Sequence, residues 1–200
     1  MEISLNCKLV YEKQKLNWWE FSLVSQFNLR GAKFMKEIKY KIIIDTREKQ
    51  IDHIEKAFKK NNIDYIRRTL PIGDYIIEGP NGHVPNVVIE RKASIDEIIG
   101  NLLDKATVDE NGNNRFTREL IRAKRANKKF ILLIEDEKFY INLLTGNYRS
   151  KINPKAAKGM ILSLEAKYPN LTIVWMSKKE VASYINSILY YSLREDLKEK

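Results

Sequence analysis

A carboxylate and an ammonium group alternate at the end of one apolar stretch of the chain, within the sequence Val88-Ile-Glu-Arg-Lys-Ala-Ser-Ile-Asp96. Side chains along a β-strand point to opposite faces in turn, so Glu90 and Lys92 share one face while Arg91 points to the other. Residues 87–89 cover both faces with apolar groups, which is typical of a central strand. Its charged end should lie at the carboxyl edge of the sheet, where the sites of α/β proteins form.

A second carboxylate, Asp74, follows Gly73 at the start of the preceding predicted strand. If the two strands form a hairpin, Asp74 approaches Glu90 across the pair. Two close carboxylates repel each other unless a cation lies between them, and oxygen ligands suit Mg²⁺ or Mn²⁺. Lys92 would lie beside that ion, where it could orient or deprotonate a water molecule or stabilise charge on a phosphate. The alternative interpretation is that all three are solvated charges at strand ends.

The elements that would position these residues form an alternating pattern. From residue 40 onward, apolar stretches rich in Ile and Val alternate with stretches of helical period, which predicts an α/β domain. Ser94 and Ser177 each stand three residues before a glutamate, and Asn153 precedes a proline, so each indicates a helix start. Strands are predicted at residues 40–45, 63–67, 74–78, 87–92, 130–135 and 171–176, and helices at 51–61, after Ser94, at 117–127, from 153 to before 169, and after Ser177.

The charge balance of the chain favours a polyanionic partner. Lys and Arg total 36 against 26 Asp and Glu, a formal net charge of +10. The single cysteine, Cys7, excludes an intramolecular disulfide, and no apolar run is long enough for a membrane span or a signal peptide. We therefore expect a soluble cytoplasmic protein of bacterial, archaeal or phage type, with no membrane partner.

Four segments in fixed order resemble a known family. The segments IDTRE, LPIGDYII, VIERKASIDEIIGNL and FILLIED are similar to parts of the nuclease domain of the XPF-type structure-specific endonucleases. The family signature, G-D followed by E-R-K-x-x-x-D, is complete here at Gly73-Asp74, Glu90-Arg91-Lys92 and Asp96. The resemblance extends over about residues 39–193, and a match of several parts in order is more specific than any single part.

The resemblance implies a fold and a set of site residues. The fold would be a restriction-endonuclease-like three-layer α/β domain with a central mixed sheet of about six strands. The resemblance implies metal coordination by Asp74, Glu90 and the carbonyl of Arg91, with Lys92 catalytic. Arg91 would pair with an acidic neighbour such as Asp96 or Glu48 and keep the site rigid. Supporting roles are implied for Asp45, Arg47, Glu48 and Asp96, with Asp45 a further candidate metal ligand.

A basic stripe is the candidate DNA-binding surface. Its five residues recur at alternating intervals of three and four, so on a helix they would share one side. Such contacts would hold the DNA backbone without reading sequence. The alternative is a solvated helix face. The stripe consists of Arg115, Arg118, Arg122, Arg125 and Lys129.

We therefore expect a Mg²⁺- or Mn²⁺-dependent endonuclease that hydrolyses DNA phosphodiesters at branches, flaps or junctions, in repair or recombination. One alternative is an inactive nuclease-fold subunit that binds DNA and scaffolds a DNA-repair partner protein. The other is a resolvase or restriction-type nuclease of a phage or mobile element. Family members often continue into a helix-hairpin-helix module. The sequence carries no counterpart, so a stand-alone nuclease domain is expected. The wide apolar stripe of the C-terminal helix, where the family pairs, predicts a homodimer.

The first 38 residues do not follow the α/β pattern. Their segment LNWWEFSLVSQFNL is apolar and aromatic without a clean period. One interpretation is a small extra element packed on the nuclease domain of residues 39–200. The other is that translation starts naturally at Met35, so that residues 1–34 are not native.

Overall fold

The computed structural model describes residues 38–199 of the 200-residue chain. The interpretations of the N-terminal extension, of Cys7 and of a start at Met35 concern residues outside this range. They stay predictions.

One six-stranded sheet forms the centre of the described region. The strands lie in the order β2-β1-β3-β4-β5-β6. Strand β3 is antiparallel to both β1 and β4, and the other neighbouring pairs are parallel, so the sheet is mixed as predicted. All six predicted strands are confirmed with shifts of at most two residues: β1 Lys41–Ile44, β2 Tyr65–Arg67, β3 Tyr75–Glu78, β4 Val87–Lys92, β5 Lys129–Ile134 and β6 Leu171–Trp175.

Six α-helices accompany the sheet in residues 38–199, and a short 3-10 helix, Pro80–Gly82, lies between β3 and β4. Ser94 and Asn153 cap two of them as predicted, because Ser94 Oγ accepts from the Glu97 N–H at 3.3 Å and Asn153 Oδ1 accepts from the Ala156 N–H at 2.8 Å. The Ser177 prediction needs a correction. Ser177 binds the carboxylate of Glu180, at 2.7 Å from Oγ to Oε2, and the helix begins only afterwards. The helices are α1 Asp52–Lys60, α2 Ile95–Leu103, α3 Arg115–Arg125, α4 Phe139–Thr145, α5 Pro154–Lys167 and α6 Val181–Lys198.

Helix α4 was not predicted. It has only seven residues, FYINLLT, too few for a helical period to stand out. Its existence depends on packing, since Phe139 and Leu143 are buried, and on Gly146, which ends it in the left-handed conformation at φ 75°.

Two apolar cores hold the three layers together, one on each face of the sheet. Alternate residues of β4 enter different cores: Val88 packs with helices α2 to α5, whereas Val87 and Ile89 pack with α1 and α6. Because the central strands are covered on both faces, a charged side chain on them is buried. Within residues 38–199, no helix is long and apolar enough to span a membrane.

Candidate active site

A cavity of about 250 Å³ opens at the carboxyl end of β4. It lies where α2 and α3 approach the β3–β4 hairpin. Its lining is mostly charged, which marks it as a site for polar chemistry rather than for an apolar ligand. The acidic residues of the lining are Glu48, Asp74, Glu90, Glu97 and Glu119, and the basic ones are Arg47, Arg91, Lys92, Arg115 and Arg122.

The β3–β4 hairpin brings Asp74 to the end of β4. The Asp74 N–H donates to the carbonyl of Ile89 at 2.7 Å, and one pair, Tyr75 with Ile89, is in antiparallel register. The Asp74 carboxylate in turn accepts from the Arg91 N–H at 2.8 Å. Asp74 and Glu90 therefore line the same cavity, as expected from a hairpin.

Glu90 and Lys92 lie on one face of β4 and contact each other. The Lys92 Nζ is 2.5 Å from the Glu90 Oε1, and both side chains are buried, at 8% and 7% exposure. The same Nζ is 3.6 Å from Glu97 and 5.6 Å from the centre of the Phe116 ring. The alternation predicted from the sequence thus holds, and two opposite charges share one buried face.

Burial and neighbouring charges shift the pKa values of the ionisable side chains on this face. Burial, together with the charges of Glu90 and Glu48, raises the pKa of Asp74 well above its usual range. Burial raises the pKa of Glu90 to about 7 against the opposing effect of Lys92. Burial alone would lower the pKa of Lys92, but the charge and hydrogen bond of Glu90 outweigh it and raise that pKa. The two carboxylates are therefore held where negative charge is costly.

Arg91 points to the opposite face of the sheet and anchors a buried ion network. Its guanidinium donates to Glu48 at 2.6 Å, to Glu135 at 2.8 Å and to the carbonyl of Lys49 at 3.1 Å. Of the two partners suggested by the sequence, Glu48 is the one found, whereas Glu135 was not foreseen. His53 extends the network, with its Nε2 3.0 Å from Glu135. These hydrogen bonds and ion pairs hold β4 in place from the face of the sheet opposite to Glu90 and Lys92.

Asp45 lies just behind the cavity and its carboxylate is fully engaged. Its oxygens accept from the N–H, Nε and Nη2 of Arg47 at 2.7 to 2.9 Å and from the Leu70 N–H at 2.6 Å. Burial opposes the charge, but these hydrogen bonds lower the pKa of Asp45 to about 2. Asp45 thus fixes the position of the Arg47 side chain, which lines the cavity.

Asp96 lies outside the lining of the cavity. Its carboxylate accepts from the Arg149 N–H at 2.7 Å and from the Arg149 Nε at 3.0 Å. The Arg149 N–H is the main reason that the pKa of Asp96 is lowered. The suggested pair of Asp96 with Arg91 is therefore corrected: Asp96 joins helix α2 to the loop before α5.

The basic stripe is divided by the structure. Arg115 and Arg122 line the cavity. Arg118 instead donates to the carbonyls of Thr107 and Asn113, at 2.6 and 2.9 Å, and so fastens the preceding loop. Arg125 is exposed at the end of α3, and Lys129 begins β5. Lys129 is thus not on the helix, because the chain turns after Arg125 and the predicted periodicity ends there.

The sequence reasoning missed Glu119, a buried residue of α3. Its Oε1 accepts from the Gly73 N–H at 2.8 Å, and it lines the cavity. A signal was present. Glu119 is the only acid in the helix RFTRELIRAKR, and it lies four residues after Arg115 and three before Arg122, on the side that faces the site.

The donor set fits a hard divalent cation. Within residues 38–199, no group of three His, Cys, Asp or Glu side chains is arranged as a metal site. Mg²⁺, however, is commonly held by one or two carboxylates that leave positions for water and phosphate. Asp74 and Glu90 supply two such carboxylates. Burial and neighbouring carboxylates raise the pKa of each, and a bound cation would offset this cost of negative charge.

Comparison with known proteins identifies the family and the fold. Residues 44–188 match the profile of the family described as the ERCC4 domain. The fold is similar to that of XPF from Aeropyrum pernix, with a TM-score of 0.56 and 18% sequence identity over 80% of this chain and 69% of that chain. No curated protein sequence matches the chain. The family match covers most of the chain and the predicted fold class is confirmed, so the chain belongs to the ERCC4 domain family and is a nuclease domain of the XPF type.

Proposed function

We propose that this chain is an endodeoxyribonuclease that depends on Mg²⁺ or Mn²⁺ and hydrolyses phosphodiesters in branched, flapped or junction DNA. The observation that carries the proposal is the convergence of Asp74, Glu90 and Lys92 in one charged cavity at the end of β4. Paired carboxylates with a neighbouring ammonium group suit phosphate chemistry, because they combine a cation site with a charge for the phosphate.

Each residue of the cavity has a distinct task in this proposal. Asp74, Glu90 and the carbonyl of Arg91 would hold the cation. Such a cation, when bound, supplies a Lewis acid that makes water a better nucleophile and offsets phosphate charge. Lys92 lies within 2.5 Å of Glu90, so it can orient the attacking water or donate to the phosphate. The Arg91 network with Glu48 keeps the carbonyl in place.

DNA would approach along helix α3. Arg115 and Arg122 line the cavity from this helix, and their guanidinium groups are suited to phosphate oxygens. The formal charge of +10 on the chain adds a general attraction. Contacts of this kind hold the backbone and carry no base specificity, so they suit an enzyme that recognises DNA shape rather than sequence.

Assembly through α6 completes the proposal. Val181, Ile185 and Leu189 of this helix are buried against the sheet, while Tyr191 is 40% exposed and Ile188 is half-buried. We propose that this outer side of α6 pairs with a second copy, and that a DNA-repair partner protein can join the assembly.

The test is cleavage of end-labelled flap, fork, junction and plain duplex DNA with Mg²⁺, with Mn²⁺ or with EDTA. Asp74→Ala and Lys92→Ala are assayed beside the unaltered chain. Matched controls are Asp64→Ala and Lys56→Ala, which remove the same charges at exposed positions outside the cavity. Because the two cavity residues carry the chemistry, we expect both cavity variants to lose cleavage and both controls to keep it.

The substrate panel separates the alternatives. Metal-dependent cutting that prefers branched DNA supports the proposal. Equal cutting of plain duplex would instead favour a restriction-type or mobile-element nuclease. Binding of DNA without any cleavage, unchanged by Asp74→Ala, would contradict catalysis and favour an inactive scaffold subunit.

A further inference from the structure

Glu119 is a buried acid that reaches out of the DNA-facing helix α3 to the backbone of the β3–β4 hairpin. It is 8% exposed, and its Oε1 accepts from the Gly73 N–H at 2.8 Å. Gly73 is the residue immediately before Asp74. The bond thus spans 46 residues of sequence and joins α3 to the turn that carries a candidate metal ligand.

The turn at Gly73 lies tightly against β4. Gly73 has φ +69°, and an added Cβ would lie 2.2 Å from Val88 Cγ2 and 2.9 Å from the Ile89 carbonyl oxygen. Glycine adopts a positive φ readily, and its lack of a Cβ lets this turn lie directly against β4.

Asp74 is held by three bonds from the residues around it. Its N–H donates to the Ile89 carbonyl at 2.7 Å, and its carbonyl accepts from the Asp45 N–H at 2.8 Å. Its carboxylate accepts from the Arg91 N–H at 2.8 Å. The Glu119 hydrogen bond adds a further constraint, and it acts on the Ile72–Gly73 peptide, one residue before the peptide of Asp74.

We propose that Glu119 is a positioning residue for the Asp74 carboxylate: it holds the Gly73 peptide and so fixes the direction in which Asp74 enters the site. This proposal rests on the proposed function, in which Asp74 holds a divalent cation. Groups that orient a metal ligand commonly change metal affinity by about 10–100-fold when they are removed. A loss of that size is the expected effect of removing the Glu119 hydrogen bond.

Two substitutions separate the hydrogen bond from the charge. In Glu119→Gln the side-chain oxygen can still accept from the Gly73 N–H, although the negative charge is gone. In Glu119→Ala both are lost. Positioning requires that Gln rescues the site, whereas a purely electrostatic contribution of Glu119 requires that Gln behaves like Ala.

The first readout is binding of Mn²⁺ to the full chain without DNA, measured from the free-ion signal by electron paramagnetic resonance. We expect Glu119→Ala to weaken Mn²⁺ binding about 10–100-fold and Glu119→Gln to stay close to the unaltered chain. Asn114→Ala is the matched control on the same helix, because it removes the N-cap bond to the Thr117 N–H and leaves Glu119 in place. It should lower the melting temperature without weakening Mn²⁺ binding.

The second readout needs no metal. Labelling Ile at the carbonyl carbon and Gly at nitrogen singles out the two Ile-Gly peptides of the sequence, those of Gly73 and Gly100. Hydrogen exchange at the Gly73 amide should accelerate in Glu119→Ala and stay slow in Glu119→Gln. Gly100 lies in α2 and serves as the internal reference.

The outcomes are distinguishable. Unchanged Mn²⁺ affinity in Glu119→Ala would overturn the positioning role, and so would a Gln variant as weak as the Ala variant. If the unaltered chain itself binds no Mn²⁺, the proposed function fails. The exchange rate of Gly73 then still decides whether Glu119 holds the turn, and an unchanged rate in Glu119→Ala would overturn that as well.

Discussion

At the scale of single residues, the site consists of charged side chains that are buried and paired with opposite charges. As whole residues, backbone included, Glu90, Arg91 and Lys92 are each only 5–6% exposed. An unpaired ion so buried is strongly destabilising, whereas a pair with good geometry offsets most of that cost. Glu90 pairs with Lys92, and Arg91 pairs with Glu48 and Glu135, so the end of β4 carries its charges without an unpaired ion.

The Asp45 carboxylate makes the free energy of unfolding depend on pH. Its pKa falls from an ordinary 3.8 to about 2 in the folded chain. A group whose pKa is lowered by folding stabilises the fold above its unfolded pKa, and this contribution is lost as pH falls through the folded pKa. The shift corresponds to about 2 kcal/mol. We expect the free energy of unfolding to lose this contribution between about pH 4 and pH 2.

Urea unfolding of the chain and of Asp45→Asn across this pH range is the measurement. The difference between them should be largest above pH about 4 and should shrink toward pH 2. Asp64→Asn, at an exposed position, is the control and should show no such trend. A difference that stays constant with pH would contradict the assignment to the Asp45 carboxylate.

Gly73 is a position where a single methyl group should disable the site. In Gly73→Ala, the positive φ costs about 1–3 kcal/mol, and the contact of Cβ with Val88 at 2.2 Å adds to this. We expect a lower melting temperature and, because Asp74 must shift, loss of cleavage. Gly82→Ala is the matched control, since Gly82 has φ +75° but no atom within 4 Å of the added Cβ. Equal effects of the two substitutions would show that backbone strain alone, without the contact, is responsible.

At the scale of elements, α3 has two different kinds of arginine. Arg122 lines the cavity, whereas Arg118 is bound to two loop carbonyls. A phosphate contact releases about one counterion, so its removal should reduce the slope of log K against log salt by about 1. We expect Arg122→Ala to weaken binding and reduce this slope.

Arg118→Ala is the contrasting variant on the same helix. Because its guanidinium fastens the loop before α3, we expect a lower melting temperature and a nearly unchanged salt slope. Fluorescence anisotropy of labelled DNA between 50 and 200 mM salt, on the scale where such dependence is clear, separates the two. An equal loss of slope in both variants would mean that the whole stripe contacts DNA, as the sequence alone suggested.

At the scale of the whole molecule, the proposed pairing of two copies would place the outer side of α6 in their interface. Tyr191 is 40% exposed there and stacks with Arg194, whose guanidinium lies 4.5 Å from the ring centre. If α6 pairs with a second copy, a carboxylate at this position would be buried without a partner. We expect Tyr191→Glu to shift the chain from dimer to monomer in light scattering after size exclusion, with its melting profile retained.

Lys179→Glu is a control that introduces the same charge at an exposed position just before the helix. It should leave the oligomeric state unchanged. A chain that is monomeric before any substitution, over the concentrations at which it cleaves DNA, would contradict pairing through α6.

The sequence predicted the sheet well for a physical reason. Strands β4 and β5 are covered on both faces, so they are continuous apolar runs such as VVI and FILLI, which a linear pattern reveals. Helix starts at Ser94 and Asn153 were equally legible, because capping is a local interaction. Helix α4 was missed, since its seven residues are stabilised by tertiary packing.

Only part of the site could be predicted from the sequence. Glu90 and Lys92 are two residues apart on one strand, and side chains alternate between the faces of a strand. The sequence alone therefore predicted that they share a face. Glu135 lies 44 residues from Arg91, and Glu119 lies 46 residues from Gly73. No local pattern reveals partners at such separations, and the family resemblance did not supply them.

The sequence by itself determined the succession along the chain of the six strands and of five of the six α-helices, the shared face of Glu90 and Lys92, and the family resemblance, because these depend on local periodicity and on motifs. Only the tertiary structure decided which charges meet. It joined Arg91 to Glu135, turned Asp96 toward Arg149, and brought Glu119 to the Gly73 turn. The physical reason is that a buried charge is stabilised by whichever opposite charge or dipole the folded chain brings within hydrogen-bonding distance, and that distance is a property of the packing of the layers.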